Sequence, residues 1–180
     1  MKKSLFIVGL LVVSCSTLKK RDCSSLDWFE QGRIDGSQGH RKSFFMQHAA
    51  KCHKKPDRTK YLAGREQGLK QFCTETGLYR RGYEGGLYLG ECAKLSTSLR
   101  AAYELGRDTY RESEEIKEFQ NKIVELEDKL KFELEPDEID ERKVVQDDIK
   151  LLQYRIKENF ERIKALRIKA YQRNYIVKEN

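Results

Sequence analysis

The apolar positions of this chain fall into unlike patterns. Leu5 through Val13 form an unbroken apolar run behind Lys2 and Lys3 and ahead of Ser14-Cys15. At about 1.5 Å per helical residue such a run is too short for a hydrocarbon core of roughly 30 Å. It therefore predicts the hydrophobic region of a cleaved export signal, residues 1–14, rather than a membrane span. From Trp28 to Tyr110 the large apolar residues are mostly aromatic and are interleaved with glycine. Farther on, Ile116, Phe119, Ile123, Leu126 and Leu130 recur at alternating steps of three and four. After Glu135-Pro136-Asp137 the same spacing returns in Val145, Ile149, Leu152, Ile156, Ile163 and Leu166, with Asn159 at one of the seam positions.

The aromatic and glycine pattern contains a repeated unit. Phe29-x-x-Gly32-Arg33, Tyr61-x-x-Gly64-Arg65 and Tyr103-x-x-Gly106-Arg107 share it, and the first two add Gly36 and Gly68 at the next turn. The unequal spacing of the copies excludes a regular solenoid. Aromatic, glycine and second glycine lie on one helical face. Glycine inside a helix costs about 1 kcal/mol relative to alanine, so close packing of neighbouring backbones must compensate it. The spacing predicts helices near 27–38, 57–72 and 97–110 that cross closely, each ring covering a neighbour's glycine. A further helix is expected over 41–52, with Phe44, Phe45 and Met46 as its apolar surface. Gly77 to Cys92, crowded with glycine and tyrosine, reads as a compact loop or short hairpin.

The two heptad seams predict a pair of long helices that fold back on each other as an antiparallel coiled-coil hairpin. Pro136 suits the first turn of the second helix, with Glu135 or a neighbour as its cap. Residues 112–134 carry eight acids and four bases, whereas 149–173 carry eight bases and two acids, so opposite signs would face each other. The apolar seam supplies most of the stability, because an exposed ion pair contributes only a few tenths of a kcal/mol. An open helix that dimerises with a second subunit is the alternative, and Asn159 would then set its register.

Charge and cysteine usage alter this picture. The net charge is +7, and the excess sits toward the N-terminus: residues 15–95 hold 16 Lys/Arg against 9 Asp/Glu, while 96–180 hold 18 against 20. In an exported protein such an excess would meet lipid head groups and acidic envelope polymers rather than nucleic acid, and the alternative to that attraction is a merely solvated basic surface. Val12-Val13-Ser14-Cys15 resembles the lipobox of bacterial lipoproteins, which implies acylation of Cys15, cleavage before it, and a membrane anchor of several acyl chains. Ser16 in place of aspartate resembles export to the outer membrane. Four cysteines remain, Cys23, Cys52, Cys73 and Cys92, an even set that reads as a disulfide framework. Three connectivities are open. A bundle of three antiparallel helices over 27–73 favours Cys23 with Cys52 and Cys73 with Cys92, each bridge worth about 3 kcal/mol in the chain-entropy model.

Candidate chemistry is sparse. His48 and Cys52 share a helical face near His53 and His40, but paired ligands at both ends of a zinc site are missing. No Gly-x-Ser-x-Gly or P-loop pattern occurs. Asp35, Glu66 and Asp108 stand near Arg33, Arg65 and Arg107 and are expected to form structural ion pairs. No catalytic residue, metal site or cofactor is therefore assigned.

One resemblance covers nearly the whole mature chain. Cys23 with Asp27-Trp28, Gly32-x-x-Asp35-Gly36-x-x-Gly39, Cys52, and Pro56-Asp57 leading to Tyr61-x-x-Gly64-Arg65-x-x-Gly68-Leu69-x-x-x-Cys73 are similar to bacterial envelope lipoproteins grouped as domain of unknown function 2799. Gly82, Tyr88, Cys92 and Tyr103-x-x-Gly106 continue it. The resemblance implies no reaction, cofactor or partner.

The expectation is a mainly α protein: signal peptide 1–14, lipid-anchored tether 15–26, a small disulfide-braced Gly/Cys-rich helical domain 27–94, a coiled-coil hairpin 95–174 and a tail 175–180. Its expected role is a non-catalytic spacer or docking protein of the outer membrane, facing periplasm or cell surface. Its partners would be the membrane, through the lipid, and an envelope protein or polymer, with homo-oligomers through the coiled coil an open possibility. The rival is a periplasmic enzyme, or a ligand- or metal-binding protein, using grooves among Trp28, Tyr61, Tyr83 and Arg65.

Overall fold

The computed structural model describes Cys23, residues 25–52 and residues 56–176. The signal segment, Cys15, most of the tether, His53 and the last four residues lie outside the described residues. The chain is mainly helical, with α1 at Trp28–Ser37, α2 at Phe44–Ala49, α3 at Arg58–Phe72, α4 at Glu75–Tyr83, α5 at Thr97–Asp128 and α6 at Ile139–Gln172. A π-helical turn, Lys129–Glu133, ends α5.

Capping chemistry written in the sequence sets most of these boundaries. Asp27 accepts from the Phe29 and Glu30 amides, Asp57 from Lys60, Thr74 from Gly77 and Ser96 from Leu99, each satisfying donors that a helix start leaves open. At the other ends α1, α4 and α6 stop with a left-handed residue, Gly39, Gly85 and Asn174. The next amide then reaches back to the helix: His40 to the Asp35 carbonyl, Gly86 to Arg81, Tyr175 to Ala170. That is the Schellman arrangement. Pro136 stands before α6 rather than in its first turn, and Glu138 is the residue flanking the helix start.

Two helix crossings organise the N-terminal part, and glycine makes both. In the α1–α3 crossing, a Cβ on Gly32 would strike the Tyr61 carbonyl and one on Gly64 would strike the Phe29 carbonyl, with Gly36 and Gly68 repeating the arrangement one turn on. In the α4–α5 crossing, Gly82 faces the Tyr103 carbonyl and Gly106 faces the Tyr79 carbonyl. The third copy of the repeated unit thus pairs with α4, not with α1 or α3. The partner of each crossing glycine is backbone, not the aromatic ring the sequence suggested; among the described residues a ring covers glycine only at Gly39, under Phe72, and Gly85, under Tyr110.

The segment expected to be a loop or hairpin is therefore half helix. Gly77 and Gly82 lower its intrinsic propensity, but burial of Leu78 and Tyr79 and the close approach to α5 outweigh that cost. Disulfides join Cys23 to Cys52 and Cys73 to Cys92, with Cα separations of 5.5 and 5.7 Å, the connectivity that the bundle argument favoured. Cys52 packs with Trp28, Phe45 and Tyr61, and Cys92 with Phe72 and Leu78. α2 turns Phe45 into this core, whereas Met46 faces solvent.

α6 packs against α5. The seam residues Ile116, Val145, Ile149 and Asn159 are buried. Asn159 donates to Glu115 at 3.0 Å, Arg162 to Glu112 at 2.7 Å, and Arg162 also meets the Asn159 carbonyl oxygen. Arg142 donates to the Leu130 and Leu134 carbonyls at 2.8 Å, taking up acceptors that the end of α5 leaves open. Ala170 and Tyr175 close a third apolar cluster with Tyr79, Ala102 and Leu105.

Candidate functional site

Two places gather chemistry-bearing side chains. The first is buried where α1, α2 and α3 meet. α1 places Asp35 on the face toward α3, where only 2% of it is exposed. The Tyr61 hydroxyl donates to its Oδ2 at 2.5 Å, His48 Nε2 meets the same oxygen at 2.9 Å, and Gln31 donates to Oδ1 at 3.0 Å. Burial first, and then the hydrogen bond to Asp35, pushes the Tyr61 phenol far above its ordinary value. A buried carboxylate requires such partners, and here three helices each supply one. The arrangement encloses Tyr61 and commits its hydroxyl, while His48, with 22% of its side chain exposed, borders a cavity of about 320 Å³ together with Gln31 and Cys52. It locks the helices together.

This network also revises the sequence reading of the arginines. Asp35 pairs with neither Arg33 nor Arg65. Arg33 binds Glu30 at 2.6 Å, Arg65 donates to the His40 carbonyl at 2.7 Å, Arg107 donates to the Gly85 carbonyl at 2.9 Å, and Asp108 pairs with Arg111. Arg65 and Arg107 thus tie down the chain that leaves α1 and α4. Trp28, Tyr61 and Arg65, expected to line a groove, are instead buried. Of that set Arg65 still borders a cavity of about 760 Å³ beside Leu62, Glu66 and Leu89, and Tyr83 lines an open surface. His40 stacks on Phe44 with ring centres 4.1 Å apart, and desolvation lowers its pKa. Among the described residues no group of three or more His, Cys, Asp or Glu side chains is placed to hold a metal ion.

The second place is a groove of about 770 Å³ between α4 and the C-terminal end of α6. Tyr79 and Tyr83 come from one face of α4, one turn apart, and stack with centres 5.9 Å apart; Tyr175 tilts against Tyr79 at 5.8 Å. Burial pushes the Tyr79 phenol up. Tyr171 and Ile168 supply the α6 wall, and Arg80, Glu84, Arg167 and Asn174 provide polar groups around the rings. Thr76, Arg80 and Glu84 also line a second cavity of about 640 Å³ that continues past Arg81 toward His40. Sequence reasoning missed this site, apart from Tyr83, because it unites residues about 90 positions apart that meet only once α6 has packed on α5.

No described helix is long and apolar enough to cross a membrane. No curated protein and no solved structure matches the chain. Residues 27–108, from the Asp27 cap through the α4–α5 crossing, match the family described as Protein of unknown function (DUF2799).

Proposed function

We propose that the protein is a lipid-anchored docking or spacer protein of the bacterial outer membrane, without catalytic activity, whose two long helices form an antiparallel coiled-coil arm. Several features support the arm. Contacts run in opposite directions along the two helices: Arg142 reaches Leu130 and Leu134, Asn159 reaches Glu115, Arg162 reaches Glu112, and Ala170 sits with Ala102 and Leu105. At 1.5 Å per residue the 34 residues of α6 span about 50 Å. Export is supported by the two closed disulfides, which persist in oxidising compartments. Acylation rests on Cys15 in its lipobox-like context.

The observation that carries the docking role is the turn between the helices, where Phe132 and Ile139 are 71% and 70% exposed beside Glu133, Glu135, Asp137 and Glu138. Apolar side chains held far from the base among charged groups of both signs, with Lys131 over the Phe132 ring, suit contact with an envelope protein or polymer. Mass spectrometry of the native product checks the anchor: the expected N-terminal peptide begins at Cys15 and carries acyl chains. Crosslinking in intact cells, with Phe132→Ala and Ile139→Ala introduced together, checks the tip: attached species should be lost. Unchanged crosslinks would refute the tip as the contact.

A further inference from the structure

We propose that the tyrosine-lined groove between α4 and the end of α6 binds an acidic saccharide. The site stands at the base of the arm and needs neither the anchor nor the tip. Tyr83, Tyr171 and Ile168 are 47%, 49% and 51% exposed and lie together along one groove, above the buried rings of Tyr79 and Tyr175. A cluster of half-exposed rings in a concave surface is unlike scattered apolar exposure and marks a ligand surface. Arg80 and Arg167 border it, and neither pairs with a carboxylate among the described residues. Two uncommitted guanidinium groups beside aromatic rings suit an anionic group, since arginine binds carboxylates with two parallel hydrogen bonds.

The remaining chemistry selects the class of anion. A pyranose presents a flat apolar C–H face, which tyrosine rings cover, and an edge of hydroxyl groups. Glu84 accepts from hydroxyls, and Asn174 both donates and accepts. A carboxylate on the sugar then reaches Arg80 or Arg167. A peptide ligand is held differently, by a side-chain anchor in a fully desolvated pocket, whereas this groove is open to solvent along its side. Continuation through Thr76, Arg80 and Glu84 into the cavity beside Arg81 and Gln71 makes room for more than one sugar ring.

Calorimetric titration of the full chain in detergent micelles tests the assignment with four probes: an oligogalacturonide trimer, a neutral chitin trimer, triglutamate and inorganic phosphate. The expected result is binding of the oligogalacturonide, weakened at least tenfold in both Tyr171→Ala and Arg167→Gln. Both positions are solvent-facing on α6, so circular dichroism and Tm should match the parent chain and separate lost binding from lost folding. Failure of the acidic trimer to bind, binding by either variant as tight as by the parent chain, or equal affinity for the neutral trimer would overturn it. Triglutamate or phosphate binding as tightly as the trimer would reduce the site to a general anion surface and overturn it as well.

Discussion

Replacing Gly64 by alanine separates two opposed effects. Helix propensity alone favours the substitution by about 1 kcal/mol, because Gly64 lies inside α3 with ordinary helical geometry. Packing opposes it. The new methyl would lie against the Phe29 carbonyl with the Arg33 amide beside it, and both atoms are backbone, so no rotamer change makes room. The helices must separate, and since Gly32 takes the Tyr61 carbonyl in return, the reciprocal contact opens with it. Overpacking typically costs 1–3 kcal/mol, and a backbone-on-backbone clash belongs at about 3. The net loss is then about 2 kcal/mol, which in a chain of this length lowers Tm by about 4–8 °C. Thermal unfolding followed by far-UV circular dichroism measures it. Gly90→Ala is the control: nothing lies within 4 Å of its added methyl, and only its positive φ of 84° opposes the change, at about 1 kcal/mol. A Tm for Gly64→Ala at or above that of the parent chain would refute the crossing.

Alkaline stability tests the buried Asp35 network. Because the folded Tyr61 phenol is held above its ordinary value by burial and by Asp35, the folded state keeps a proton that the unfolded state loses above about pH 10. The associated stability is intact below that pH and declines as pH rises. Denaturant unfolding from about pH 8 to about pH 11 should therefore show a steeper alkaline decline in the parent chain than in Tyr61→Phe, and equal slopes would contradict the assignment. At the seam, Asn159→Ala should destabilise by about 1–2 kcal/mol through lost hydrogen bonds, while Asn159→Leu should raise Tm but admit new association states by light scattering, as expected for a polar residue that fixes register. A leucine variant that is no more stable and stays in one state would show that Asn159 has no such role.

What the sequence revealed depended on whether a signal was local. Asp27, Asp57 and Ser96 cap their helices by reaching two or three residues along the chain, so those starts were readable. The heptad seams, the four paired cysteines and the glycine faces of α1 and α3 were readable for the same reason. α4 was obscured because turn chemistry and close helix packing both use glycine. Gly85 and Gly90 have positive φ, whereas Gly82 is helical and sits against α5. Tyr79-x-x-Gly82 was a fourth copy of the aromatic-glycine unit, hidden because tyrosine rather than arginine follows it. The arginine partners were unreadable because Arg65 and Arg107 bind backbone carbonyls, which leave no mark in side-chain spacing. The groove required tertiary packing of α6.

The fourth copy gives the N-terminal part a simpler plan. Cys23-x5-Phe29-x2-Gly32 and Cys73-x5-Tyr79-x2-Gly82 have identical spacing, and each opens a unit in which the cysteine bonds to a second one, Cys52 or Cys92. Each second cysteine is followed by an aromatic-x-x-Gly-Arg helix. That helix crosses the first at a reciprocal glycine contact, and its arginine secures the chain beyond the first helix. The two units differ where function would be placed. In the first, Asp35, His48 and Tyr61 lock the crossing shut. In the second, no such network forms among the described residues; Tyr83 is left half exposed, and the second helix runs on past its crossing to become α5. The long helix α5 and the tyrosine groove both extend from the second unit, while the first holds the buried Asp35 network.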